Sequence, residues 1–181
     1  MKSIVIIGSG ARECAILMKL VQSKDIASYD IFTISTFKNP YMAIKSNYIL
    51  VNDLSYDTLT QLDIFGTAVK SDAKEEVVEV AYVFIGSENP ITDGFVDFLH
   101  AHQIQCIAPT KEHAMIESSK GYARELLTNN NLSKYNPRYK IIQKGDETQL
   151  HSELDRSYKK VIKKNGLCGG KGVFVEDEHF D

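Results

Sequence analysis

Short apolar runs and longer amphipathic stretches alternate over the first hundred residues. Ile4-Val5-Ile6-Ile7 is a continuous apolar run of strand length that stops at Gly8. From Ala11 to Val21 apolar residues recur at helical spacing. Ala15, Met18 and Val21 mark the stripe, and Ile16, Leu17 and Leu20 widen it. Asp30–Ser35 and Tyr48–Val51 read as a second and a third strand, and the polar, acidic stretch Thr67–Val80 as a helix. Tyr82-Val83-Phe84-Ile85 is a fourth buried strand, ending at Gly86. Ile91–His102 reads as one helix and Gln105-Cys106-Ile107 as a short strand before Pro109. Apolar strands alternating with helices predict an α/β, doubly wound parallel sheet. Ligands of such sheets collect outside the carboxyl ends of the strands. That rule singles out two loops, Gly8–Glu13 and Gly86–Pro90.

After Pro109 the pattern changes. Thr110–Ile116 and Ser118–Asn129 read as helices, stopped by Asn129-Asn130-Asn131. Arg138–Gln143, a stretch around Glu147–Tyr158, and Lys160–Lys163 read as strand, helix and strand. A glycine-rich turn and Val173-Phe174-Val175 follow. This second texture is α+β with antiparallel character. The expected division is a first domain over 1–108 and a second over 109–181, with the boundary near residues 108–118.

The composition is that of a globular chain: 181 residues, 43% hydrophobic and 25% charged. A net charge of −3 gives no general attraction to nucleic acid or to an anionic membrane. The charge is uneven: residues 134–172 carry an excess of six positive charges, and residues 1–133 an excess of five negative ones. A basic stretch of this kind either faces a polyanion or is a solvated lysine-rich surface. Cys14, Cys106 and Cys168 are odd in number and far apart, which argues against a disulfide framework and for a reducing, cytoplasmic setting. No apolar run approaches the roughly 20 residues of a membrane span, and the opening run is too short for a signal peptide. The histidines form no metal pattern, and the acidic terminus, with Glu176, Asp177, Glu178 and Asp181, reads as a solvated turn; no metal ligand is expected in this chain.

Three motifs carry candidate chemistry. Gly8-Ser9-Gly10-Ala11-Arg12-Glu13 sits where a dinucleotide fingerprint would, but Glu13 stands in place of the third glycine and Thr33–Thr36 hold no acidic residue, so NAD is disfavoured. A helix N-terminus still favours an anion, and Arg12 suits a bidentate phosphate contact. Glu13 either touches a ligand or compensates the helix dipole. In Gly86-Ser87-Glu88-Asn89-Pro90 the Glu88 carboxylate suits a sugar hydroxyl or an amine, or else Glu88 and Asn89 cap the next helix. The third motif, Lys163-Lys164-Asn165-Gly166-Leu167-Cys168-Gly169-Gly170-Lys171-Gly172, places four glycines within the seven residues 166–172. Its backbone N–H groups can wrap phosphates, with Lys171 neutralising their charge. Gly172 after Lys171 excludes a Walker A loop. Cys168 reads as a small residue in a crowded loop rather than a nucleophile.

Together the motifs resemble the N-terminal part of the phosphoribosylamine–glycine ligase family, ATP-grasp enzymes of purine biosynthesis. Gly8–Glu13 is similar to the family's GSGGREHA, and Gly86–Ile91 with Gly94 is similar to GPExPLxxG. Ala108-Pro109-Thr110-Lys111 is similar to GPxK, and Ser119–Arg124 to SKxFxK. Val161-Ile162-Lys163 and Gly166–Val173 are similar to VIKADGLAAGKGV. Order and spacing both fit over essentially the whole chain. The departures are Ala11 for Gly, Cys14 for His, Ser87 for Pro, Ala108 for Gly and Asn165 for Asp.

The resemblance implies a Rossmann-like domain followed by the start of an ATP-grasp lobe. It implies ATP, glycine and 5-phosphoribosylamine as substrates, with no nucleic acid or membrane partner. Lys120, Lys163, Gly169, Gly170, Lys171 and Gly172 would hold ATP, and Gly10, Arg12, Glu13 and Glu88 the phosphoribosylamine. No general base stands out. Magnesium ligands would lie outside this chain, on a second lobe supplied by a C-terminal half or a partner chain, so no ligase activity is expected from these residues alone. The alternative expectation is a non-catalytic nucleotide- or partner-binding module derived from the ATP-grasp fold. A related ATP-grasp carboxylate ligase is a further one.

Overall fold

The computed structural model describes residues 2–65, 79–146 and 159–176. The helices expected over 67–80 and 147–158 lie outside the described residues, apart from Glu79 and Val80, which are in a strand. The chain divides into two compact units, Met1–Ala114 and Met115–Asp181.

The first unit is built on five parallel strands: β1 (Lys2–Ile7), β2 (Tyr29–Ser35), β3 (Asn47–Leu50), β4 (Glu79–Ile85) and β5 (Gln105–Ile107). Their order is β3-β2-β1-β4-β5. The chain winds outward from β1 to β3, then returns to the far side of β1 to lay down β4 and β5. The order therefore reverses between β1 and β4, where the carboxyl-end loops of a doubly wound sheet diverge and leave a crevice. Helices α1 (Ala11–Leu20), α2 (Pro40–Lys45), α3 (Tyr56–Thr60), α4 (Glu88–Asp93) and α5 (Phe95–Ala101) pack around the sheet.

The alternation of side chains along β1 explains the two layers. Val5 and Ile7 join Ile34, Leu59, Val83, Ile85, Phe95, Val96 and Leu99 in one cluster. Ile6, between them in sequence, joins Leu17, Ile31 and Met42 in the other. Both sheet faces are covered, so the central strands are apolar throughout rather than alternating.

Two expectations fail here. Ala15 and Met18 do not face the sheet: the buried side of α1 is Glu13 and Leu17, flanked by the half-buried Cys14, Ile16 and Leu20. A glutamate in the buried stripe shifted the apparent apolar face by about a third of a turn. The expected helix over Ile91–His102 is two helices that start earlier, at Glu88. Gly94 interrupts them at φ 97°, a left-handed conformation that ends α4 and begins α5.

In the second unit, α6 (Lys111–Ser118, which begins in the first unit) is followed by α7 (Lys120–Asn129). The antiparallel strands β6 (Val161–Lys163) and β7 (Val173–Val175) pair Val161 with Val175 and Lys163 with Val173. Residues 138–143, expected as a strand, have no regular structure. A strand exists through its ladder partner, and among the described residues β6 and β7 pair only with each other. No described helix is long and apolar enough to cross a membrane.

Candidate functional site

The loops after β1 and β4 meet at the reversal of strand order. Gly8 donates its N–H to Ile34 O on β2 (2.8 Å), and Gly86 donates to Ile7 O on β1 (3.1 Å), so the sheet ladder carries both loops to the same rim. A cleft of about 340 Å³ opens there, lined by Gly8–Glu13, Ser35–Phe37, Leu54 and Ser87. Helix α1 starts at this rim with Gly10 as its N-cap and no side-chain cap, leaving first-turn N–H groups for an anion.

Arg12 and Glu88, 76 residues apart in sequence, are joined: Arg12 Nη2 donates to Glu88 Oε1 at 3.0 Å. The Glu88 carboxyl is held below the usual carboxylate range, first by its own backbone N–H at the start of α4 and then by Arg12. Glu88 is the first residue of α4, whose N-cap is Ser87 with no side-chain cap bond.

Glu13 has a different environment. Its residue is 3% exposed, and its Oε1 lies 3.9 Å from Arg12 Nε. Three glycines make room for it. A Cβ on Gly86 would stand 1.7 Å from Glu13 Oε1 and 2.4 Å from Cδ; one on Gly8 would stand 3.0 Å from Cδ, and one on Gly10 2.9 Å from Oε2. The glycines of these two loops therefore give the Glu13 side chain its place. Ala11, by contrast, is exposed at the first helical position.

A polar network that sequence reasoning missed fixes the floor of the cleft. The Ser9 and Ser35 hydroxyls are hydrogen-bonded to each other, one donating and one accepting, and Phe37 O lies within reach of both, at 3.2 and 3.0 Å, to accept from the one whose proton is free. Asn39 Nδ2 donates to Ser9 O (3.0 Å), while its Oδ1 accepts from Tyr41 and Met42 N–H at the start of α2. Tyr48 Oη donates to Phe37 O (2.6 Å). Two signals could have revealed this. Asn39-Pro40 is a helix-start dipeptide, and Ser35–Phe37 lie at the carboxyl end of β2, where the ligand rule points.

In the second unit the glycine-rich stretch joins β6 to β7. Lys164 N–H to Gly172 O (2.8 Å) closes its neck, and Lys171 N–H to Cys168 O (2.9 Å) tightens its tip. Gly169 and Gly170 are left-handed, at φ 53° and 78°. A Cβ on Gly166, Gly169 or Gly170 would meet nothing within 4 Å, so the backbone is open to a ligand. Lys163, Lys164 and Lys171 are exposed. Lys120 Nζ donates to Gly166 O (2.8 Å), which brings it to the base of the loop. Gly172 is the crowded position, with Cys168 Sγ 2.8 Å from where its Cβ would be.

Burial pushes the Cys106 thiol up to about 11, so it stays protonated and inert. Among the described residues no group of three His, Cys, Asp or Glu side chains is placed to hold a metal ion.

Known proteins agree with this picture. Solved structures of similar fold include N5-carboxyaminoimidazole ribonucleotide synthetase from Thermotoga maritima, with a TM-score of 0.63 and 16% identity over 97% of this chain and 41% of that one. D-alanine–D-alanine ligase from Helicobacter pylori gives a TM-score of 0.56 and 13% identity over 97% of this chain and 56% of that one. At such identities they establish a shared fold and nothing further. Among curated sequences, phosphoribosylamine–glycine ligase of Methanocaldococcus jannaschii is 35% identical over 97% of this chain. A bifunctional purine biosynthetic protein of Dictyostelium discoideum is 32% identical over 96%. The chain spans 37% of the first relative's length and 19% of the second's. Residues 2–117, which contain the cleft and both of its loops, match the phosphoribosylglycinamide synthetase N domain, and the chain belongs to that family.

Proposed function

We propose that this chain supplies the phosphoribosylamine-binding cleft and a nucleotide-binding glycine loop of a phosphoribosylamine–glycine ligase. In that reaction ATP phosphorylates the glycine carboxylate. The amine of 5-phosphoribosylamine then attacks the acyl phosphate, giving glycinamide ribonucleotide, ADP and phosphate. The assignment to these residues is binding, because the chain spans only part of the relatives that carry the activity's name.

The observation that carries the reading is the Arg12–Glu88 pair at 3.0 Å, beside buried Glu13, at the reversal of strand order. One guanidinium and two carboxylates form a mixed site. The start of α1 and Arg12 suit a phosphate. Glu13 and Glu88 suit donors on the same ligand, namely ribose hydroxyls and the amine. A ligand with phosphate at one end and donors at the other answers both kinds of group.

For ATP, the open backbone at Gly166, Gly169 and Gly170 fits a polyphosphate, with Lys120, Lys163 and Lys171 as cations and Gly169–Gly172 as the covering flap. Positioning and electrostatics are what these residues contribute to phosphoryl transfer. The described residues offer no three-ligand set for magnesium, and no step is assigned to a metal. The three free thiols support a cytoplasmic setting.

Titration calorimetry with ribose 5-phosphate, a stable stand-in for the amine, tests the cleft. The protein should bind it more tightly than inorganic phosphate. Arg12→Ala should weaken binding about tenfold or more, the scale of a lost charge-assisted pair, while moving stability by less than about 0.5 kcal/mol. Equal affinity for inorganic phosphate, or an Arg12→Ala variant that binds normally, would overturn the reading.

A further inference from the structure

The glycine loop is not attached to its unit symmetrically. Its neck is closed by a backbone bond and its tip faces open space. On its leading side, Asn165 and Gly166 reach across to the first turn of α7. Asn165 Oδ1 accepts from Gly121 N–H at 2.8 Å and from Ser119 Oγ at 3.3 Å. The Asn165 carbonyl accepts from Lys120 N–H at 3.2 Å, and Lys120 Nζ donates to the next carbonyl, that of Gly166. Ser119 is at the same time the N-cap of α7, its Oγ accepting from Tyr122 N–H at 3.2 Å.

One amide oxygen thus takes a first-turn N–H of α7 that the helix cannot satisfy itself, from a residue 44 positions later. Gly121 is part of the same fit. A Cβ there would stand 3.1 Å from Ile141 Cδ1 and 3.4 Å from Asn165 Oδ1. A glycine in the first turn of a helix is a poor helix former, and here it permits this close approach.

We propose that Asn165 is a positioning residue. Its side-chain oxygen pins the root of the glycine loop to the start of α7, so that Lys120 and the flap present themselves to one nucleotide. It touches no phosphate in this scheme and acts through Lys120 and Gly166. The oxygen, not the amide nitrogen, makes the contacts, so aspartate can fill the role and alanine cannot. The inference rests on the nucleotide reading above for its functional consequence, but its structural content is independent of that reading.

The test has two arms on the full 181-residue chain. Hydrogen exchange should show faster exchange at Gly121 and across 166–172 in Asn165→Ala, with β1–β5 unchanged, and wild-type protection in Asn165→Asp. ATP titration should show affinity weakened about three- to tenfold in Asn165→Ala, the scale of one or two exposed hydrogen bonds, and restored in Asn165→Asp. Should the alanine variant not fold, Asn165→Gln, which keeps the amide but displaces it by a methylene group, takes its place. Unchanged exchange at Gly121 and in the loop overturns the proposal, as does faster exchange with unchanged ATP affinity. If wild-type protein fails to bind ATP, the nucleotide reading falls, and the exchange arm alone decides whether Asn165 pins the loop.

Discussion

The two candidate sites use glycine in opposite ways. In the first unit, Gly8, Gly10 and Gly86 are crowded, and the missing Cβ atoms are filled by the Glu13 side chain. In the second unit, Gly166, Gly169 and Gly170 face nothing within 4 Å. The first set is a packing device that seats a buried carboxylate at a rim already fixed by the sheet ladder. The second leaves open space where side chains would stand, which suits the approach of the nucleotide proposed for this loop. The same residue type, at a similar place in a motif, is therefore exposed to opposite consequences on substitution: loss of stability in one unit, loss of ligand approach in the other.

The largest effect that can break this comparison is at Gly86. Gly86→Ala forces a methyl group to within 1.7 Å of Glu13 Oε1 and 2.6 Å of Cγ, a clash that a buried side chain cannot avoid by rotating its tip alone. The expected loss is about 1–3 kcal/mol, typical of overpacking. Shortening the neighbour should relieve it: in Gly86→Ala with Glu13→Ala, at least half of the lost stability should return, a coupling that a double-mutant cycle of denaturation midpoints measures. A Gly86→Ala protein as stable as wild type, or a double variant with no recovery, would show that Glu13 does not occupy the slot.

The second unit should respond differently. Gly166→Ala meets open space and ordinary backbone, so its stability should stay within about 0.5 kcal/mol of wild type. On the nucleotide reading proposed above, its ATP affinity should nevertheless fall several-fold, because the methyl group would occupy space that reading gives to phosphate. Gly170→Ala adds a backbone cost of about 1–2 kcal/mol, since φ is 78° there. Thermal denaturation and ATP titration, run side by side, separate the two. If Gly166→Ala destabilises the protein as much as Gly86→Ala does, the distinction between packing and access is wrong.

The fold was largely legible because burial on both sheet faces writes itself as apolar runs, and β1, β2 and β4 are such runs or close to it. The cleft was partly legible: carboxyl ends of strands pointed to Gly8–Glu13 and Gly86–Pro90, and the structure brings Arg12 and Glu88 together at 3.0 Å. What the pattern concealed was polar burial. Glu13 occupies an apolar position of α1, so reading it as polar rotated the helix and wrongly turned Ala15 and Met18 inward. The break at Gly94 was hidden because apolar spacing continues through it, although a left-handed φ stops the helix. Asn165 was legible only as a lost charge. Its hydrogen bonds reach residues 44 and 46 positions away, a distance at which local sequence carries no signal.

The smallest effect compares two helix starts held by side-chain oxygens. At α3, Asp53 Oδ1 accepts from Ser55 N–H (2.9 Å), Ser55 Oγ (2.5 Å) and Thr58 Oγ1 (2.7 Å). At α7, Asn165 does similar work without a charge. The hydroxyls of Ser55 and Thr58, then the Ser55 N–H, favour the ionised Asp53 and lower its pKa from 3.8 to about 2. A depressed carboxylate contributes stability that is fully present above its unfolded pKa and disappears as pH falls through the folded value. For Asp53 that window runs from near 3.8 down to about 2. Because this carboxylate is fully exposed, the contribution is best read as a titration rather than an energy. Carboxyl carbon shifts followed by NMR should place the Asp53 midpoint near 2, and Ser55→Ala should move it back toward 3.8. The carboxyl introduced by Asn165→Asp should also titrate below the ordinary value if it accepts from Gly121 and Ser119 as the amide does. An ordinary midpoint there, with Asp53 depressed as expected, would mean that the two helix starts are held by different physics, and that the oxygen of Asn165 is not what holds the loop.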